Sequence, residues 1–253
     1  MRIASEPESS PFALRDTLIL PEEGEVHVWE VPLAGDEETL IACGGVISRD
    51  ERRRADRFRS RSDAGKFIVA RGNLRFILGR YAGLPPGDLE FLLSPYGKPS
   101  LGNPGESPAL RFNMADSGNI ALAAITRGRD VGIDLELMNP LIDISAVALR
   151  CFCGAEMDLL GATPADRWVN VFFTLWTRKE AYIKARGEGM SLDLKAIDVS
   201  AVPATLDRRW VLDDLETGIG YRGAIAVDGA IGLVRYFGVQ GPAMRQNKQE
   251  QRT

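Results

Sequence analysis

Two tight links in the middle of the chain constrain its fold more than any other feature. The stretch Arg111 to Ile125 alternates through Ile120, Leu122 and the alanines beside a turn at Ser117-Gly118, and Arg127-Gly128-Arg129 then leads straight into Val131 to Leu137. Alternation of period two marks strands, and links this short join antiparallel-type strands. Helical patterns lie to either side. Ser48 stands before Asp50 and Glu51, a helix start, in a stretch to Arg61 with seven arginines against three acids. A second helix is expected from about Asp63 to Tyr81, with Phe67, Ile68, Leu74, Ile77 and Leu78 as its apolar stripe, stopped by Gly83 and Pro85-Pro86. Pro95 to Pro108 reads as a loop. Ile144 to Leu160 and Trp168 to Arg186 read as helices. The segments from Glu25, near Val211 and from Tyr221 to Phe237 read as strands.

Each half of the chain thus offers helices followed by antiparallel-type strands, which predicts an α+β fold of two weakly similar halves. The boundary falls near Arg127-Gly128-Arg129. This gives an N-terminal extension (1–24), a first lobe (25–128), a second lobe (129–240) and a polar tail (241–253) whose end, Gln246 to Thr253, is expected to fray. The 253 residues, 45% hydrophobic and 26% charged, suffice for a core. A formal net charge of −4 argues against a protein that coats nucleic acid, although local basic patches can still hold phosphates. Cys43, Cys151 and Cys153 make no disulfide framework, and with the single His27 they are a poor zinc set. Met1 to Pro11 is polar and acidic, unlike a signal peptide, and no run approaches the ~18 apolar residues of a membrane helix. A cytoplasmic protein without membrane partners is expected.

Two segments carry chemistry. In Val131-Gly132-Ile133-Asp134-Leu135-Glu136 the alternation turns Val131, Ile133 and Leu135 inward and sets Asp134 and Glu136 on the other face, ~7 Å apart. Such oxygen ligands suit Mg²⁺ or Mn²⁺; the same pattern also describes a solvated strand face. In the helix around Trp176-Thr177-Arg178-Lys179-Glu180-Ala181-Tyr182-Ile183-Lys184, the residues Trp176, Glu180 and Lys184 share one side. Glu180 and Lys184 could equally be an ordinary surface pair worth ~0.3–0.5 kcal/mol. Gly187 and Gly189 then stop the helix and open a loop.

Taken together, Asp-x-Glu on a strand and, some forty residues on, Trp-x-x-Lys-Glu-Ala-x-x-Lys-x-x-Gly on a helix resemble the 4′-phosphopantetheinyl transferase superfamily. The resemblance is to its two-lobed type, which activates peptide and polyketide synthases. It extends over the arginine-rich helix, Tyr96-Gly97-Lys98-Pro99, Phe112-Asn113 with Ser117-Gly118, and Phe152 to Glu156, and so spans about Val26 to Phe237.

The resemblance implies two pseudo-twofold-related lobes, each a small antiparallel sheet with a long helix, in a monomer with the coenzyme between them. It implies transfer of 4′-phosphopantetheine from coenzyme A to a serine of an apo acyl or peptidyl carrier protein, with release of 3′,5′-ADP. Mg²⁺, or Mn²⁺, would be held by Asp134, Glu136 and Glu180. Glu180 and Lys184 are the implied catalytic pair. Arg54, Lys66, Lys98 and Lys184 are the implied coenzyme contacts, with Arg71 in support. Where the family reads Phe-Asn-x-Ser-His-Ser-Gly, this chain has Ala115 and Asp116 in place of the serine and histidine that approach the 3′-phosphate. An aspartate there would repel that phosphate by ~1 kcal/mol or more. A binding homologue without turnover is the alternative this departure leaves open. A nucleic-acid module built on the arginine-rich helix is disfavoured by its three acids and its single aromatic, Phe58.

Overall fold

The computed structural model describes residues 20–103, 110–139, 143–240 and 243–246. In chain order these form β1 (Glu25–Pro32), α1 (Glu37–Val46), α2 (Arg49–Ala55), α3 (Arg61–Ala82), β2 (Phe91–Leu93), β3 (Pro99–Leu101), β4 (Leu110–Ser117), β5 (Ile120–Arg127) and β6 (Val131–Leu137). Then come α4 (Ile144–Cys151), α5 (Gly154–Gly161), α6 (Trp168–Arg186), β7 (Ala204–Leu206), β8 (Trp210–Leu215), β9 (Tyr221–Asp228), β10 (Leu233–Gln240) and β11 (Ala243–Gln246). The fold is mixed α+β, as the alternating patterns predict.

Local chemistry accounts for the element ends. Ser48 accepts the Glu51 amide while Glu51 accepts the Ser48 amide, a reciprocal cap that starts α2. Ser60 caps α3 through the Asp63 amide, and Gly83 closes it. Several expectations need correction. The 95–108 loop contains β3, which pairs with β2 as a small hairpin; residues 104–109 lie outside those described. The expected strand around Ser117-Gly118 is a hairpin, β4 and β5, with register Ser117 to Ile120. The expected helix 144–160 is two helices, because Phe152 is extended and Glu156 accepts the Cys153 amide to start a new one. The 221–237 stretch divides between β9 and β10, which belong to different sheets.

The first sheet has the order β11-β10-β1-β5-β4 and the second β6-β9-β8-β7. β10 runs parallel to β1, with Val26 opposite Val234, so the first sheet draws strands from both ends of the chain. One face of the first sheet (Trp29, Val31, Ala123, Ile125) packs on Leu74, Ile77, Leu78 and Tyr81 of α3. Its other face (Val26, Val28, Leu122, Ala124) meets Val131, Ile133, Leu135, Ile225 and Val227 of the second sheet. The far face of the second sheet, through Leu212, Ala224 and Ala226, is covered by α6. The layers therefore run α3, sheet, sheet, α6. Among the described residues no helix is long and apolar enough to cross a membrane.

Candidate active site

β6 is an edge strand of the second sheet, and its unpaired amides must find partners. Two side chains of β4 serve two of them. Asn113 Oδ1 accepts the Ile133 amide at 2.9 Å, and Ser117 Oγ accepts the Leu137 amide at 3.0 Å. On the opposite face α6 lies unusually close at Gly132, where a Cβ would fall 2.1 Å from the Ala181 carbonyl oxygen and 2.2 Å from the Ala185 nitrogen. Only glycine permits that approach. Asp134 and Glu136 consequently lie beneath the α6 face that carries Trp176, Glu180 and Lys184, and the solvated-strand reading does not hold for Asp134, which is 3% exposed.

The electrostatics follow from this burial. Lys184 Nζ donates to Asp134 Oδ1 at 2.5 Å, so its ion pair reaches the strand. Asp134 Oδ2 is buried and has no hydrogen-bond partner among the described residues. Burial pushes the Asp134 carboxyl up to about 6; Lys184 opposes the shift, and Glu136 and Glu180 add to it. Burial also raises the Glu180 carboxyl, again opposed by Lys184 and reinforced by Glu136. Glu136 accepts the Ser117 hydroxyl at Oε2, 3.0 Å, and the Trp176 indole N–H at Oε1, 3.4 Å. Three carboxylates and one ammonium thus influence one another in a site covered by a helix. A buried acceptor atom left unpaired beside two further carboxylates suits a divalent cation with oxygen ligands.

The other residues singled out in the sequence are distributed around this centre. Lys98, in the turn between β2 and β3, donates to the Ala185 carbonyl at 2.7 Å and lies 3.6 Å from Asp130. Burial pushes its ammonium down, Asp130 draws it back up, and Arg111 lowers it further. Lys66 of α3 donates to the Gly118 carbonyl at 2.8 Å, beside Ser117. Ala115 is buried between the sheets, whereas Asp116 points to solvent. Arg54 stacks on the Phe67 ring at 5.1 Å. Arg71 is bound, with Arg75, to Glu51 and so anchors α2 on α3.

Sequence reasoning gave no role to Asn113, Ser117 or Lys179. Lys179 is fully buried and donates to the Leu194 and Ile197 carbonyls, each at 2.7 Å, and to Glu156 at 2.8 Å. Glu156 also accepts the amides of Cys153 and Val199. Every polar atom of this pair has a partner, and together they fix the chain after α6 to α5. Among the described residues, Cys153, Glu156 and Asp198 are the three metal-type side chains whose ligand atoms all lie within 4.8 Å of one another. Glu156, however, is committed to Lys179 and two amides. Asp134, Glu136 and Glu180 are not drawn to that spacing, with Lys184 placed among them. A cleft of about 340 Å³ opens around Arg222 and Asn170, one strand away from Glu136, since Arg222 is the cross-strand partner of Glu136.

Comparison with known proteins adds independent findings. A family model described as the 4′-phosphopantetheinyl transferase superfamily matches residues 130–210, which include Asp134, Glu136, Glu180 and Lys184. The chain is 40% identical to the 4′-phosphopantetheinyl transferase HetI of Nostoc sp., over 71% of this chain and 75% of that one. It is 31% identical to the 4′-phosphopantetheinyl transferase Sfp of Bacillus subtilis, over 66% of this chain and 71% of that one. To the 4′-phosphopantetheinyl transferase psf-1 of Bacillus pumilus it is 35% identical, over 59% and 62% of the two chains.

Proposed function

The chain belongs to the 4′-phosphopantetheinyl transferase superfamily and is an enzyme of that class, and from that premise we propose that it moves the group from coenzyme A to a serine of an apo carrier protein, in a Mg²⁺-dependent reaction that releases 3′,5′-ADP. The observation that supports a metal at this site is the buried Asp134 Oδ2, without a hydrogen-bond partner among the described residues, in a site shared with Glu136, Glu180 and Lys184. Asp134, Glu136 and Glu180 would hold the cation, which when bound would neutralise charge on the coenzyme pyrophosphate. Mn²⁺ has the same ligand preferences.

Lys184, held at 2.5 Å from Asp134, places a positive charge at the same face and would assist on the phosphate side. Glu180 is the proposed base for the carrier serine. It would take the proton directly or through a water, and a base in this position contributes ~10²–10⁴-fold. Lys66 and Lys98, at the Gly118 turn and the C-terminal end of α6, would exchange carbonyl partners for phosphate oxygens, and Arg54 would add charge from α2. By the resemblance Ala115 and Asp116 would lie near the 3′-phosphate; Ala115 is buried between the sheets, so Asp116 is the one of the two whose exposed side chain would meet it.

The test incubates the protein with coenzyme A, Mg²⁺ and several apo carrier proteins, and weighs the carriers by mass spectrometry. One phosphopantetheine is expected on one serine, with no gain for Glu180→Ala. No gain with any carrier would reject the proposal in favour of a binding homologue.

A further inference from the structure

Glu136 is held from two sides by residues of different layers. Ser117, at the end of β4 in the first sheet, donates its hydroxyl to Oε2, and Trp176 of α6 donates its indole N–H to Oε1. The Ser117 hydroxyl also accepts the Leu137 amide, so its single hydrogen is left for Glu136. The Trp176 ring is set by stacking on Phe172, with ring centroids 6.4 Å apart and planes 5° from parallel, which aims its N–H. Glu side chains otherwise rotate about three torsions, the last of them broad. With one donor on each oxygen, a second lone pair on each stays available.

We propose that Ser117 and Trp176 are positioning residues that fix the Glu136 carboxylate for a divalent cation, and that Ser117 thereby ties the first sheet to the metal site on the second. This rests on the reading of Glu136 as a ligand. The same hydroxyl fastens the strand edge at Leu137 and the side chain one residue earlier, so any shift of β4 against β6 moves the carboxylate. Lys66, on the neighbouring Gly118 carbonyl, steadies the turn that follows Ser117. Partners of this kind typically govern metal affinity by about 10–100-fold.

The test measures Mn²⁺ binding by electron paramagnetic resonance, with the metal alone as probe, alongside denaturant unfolding. Ser117→Ala is expected to weaken Mn²⁺ by about tenfold or more, Ser117→Thr to restore it, and Ser117→Ala with Trp176→Phe to weaken it further than either alone. Glu51→Gln loosens α2 from α3 and touches no residue of the proposed metal site, so it should lower stability and leave Mn²⁺ affinity intact. If Glu136→Gln loses Mn²⁺ while the Ser117 and Trp176 variants bind it as the wild type does, the positioning role is wrong. If Glu136→Gln itself binds Mn²⁺ as the wild type does, the ligand reading beneath it is wrong.

Discussion

At the scale of single residues, the exposed Asp116 is the clearest departure from the family pattern. If it faces the 3′-phosphate, Asp116→His should tighten coenzyme A more than dephospho-coenzyme A, as read by competition binding. An equal effect on both would remove Asp116 from that phosphate. A second prediction concerns Glu51. Burial pushes its carboxyl up, but Arg71, the Ser48 amide and Arg75 outweigh this and hold it below the ordinary 4.5. A depressed carboxyl stabilises the fold above its unfolded value, and that contribution is lost as pH falls through the folded one. Glu51→Gln should therefore cost roughly 3 kcal/mol near neutral pH, measured by denaturant unfolding, and progressively less below pH 4.5. The placing of Asp134 and Glu136 on one face was legible, because strand period alone decides it. The burial of Asp134 was not, since it depends on a helix some forty residues later. Nor were the roles of Asn113 and Ser117, which bond to backbone amides of another strand and leave no periodic trace.

Among the elements, α6 was legible to its ends, with Gly187 supplying the left-handed stop at φ 65°. The break between α4 and α5 was missed because Cys153 is an uncommon cap and the apolar spacing runs through it. α1 was missed too. It buries Cys43 and carries Gly44-Gly45, so its stripe is faint, although Asp36 accepting the Thr39 amide was a readable start. α6 packs directly on Gly132 of β6. Gly132→Ala has no room, since backbone atoms rather than flexible side chains oppose the new carbon. It should destabilise by at least ~1–3 kcal/mol in denaturant unfolding, and should lower transfer activity by displacing Glu180 and Lys184 from Asp134. A variant as stable as the wild type would mean that α6 can slide without cost.

For the whole molecule, the α+β class and the pairing of helices with small sheets followed from alternation and turns. Sheet membership did not, because which edge a late strand joins is settled by shape and burial at long range. β10 is the instance: nothing in its sequence distinguishes it from β9, yet it pairs with β1 in the other sheet. A chain ending after Asp228 would lose β10 and β11 while keeping every proposed catalytic residue. It should fail to fold cooperatively, as seen by loss of a sharp denaturant transition and by rapid proteolysis, because β1 would expose a whole edge. A truncated chain that unfolds like the intact one would show that the first sheet is stable without them.

The parallel pairing of β1 with β10 also sets an order of events during synthesis. β1 can pair with β5 once the hairpin of β4 and β5 has been made, but its other edge is covered only after β10 has followed, since Glu25 lies opposite Leu233. A contact of such long range is slow to form and leaves the nascent edge exposed meanwhile. The first lobe can be translated early, but it is completed last.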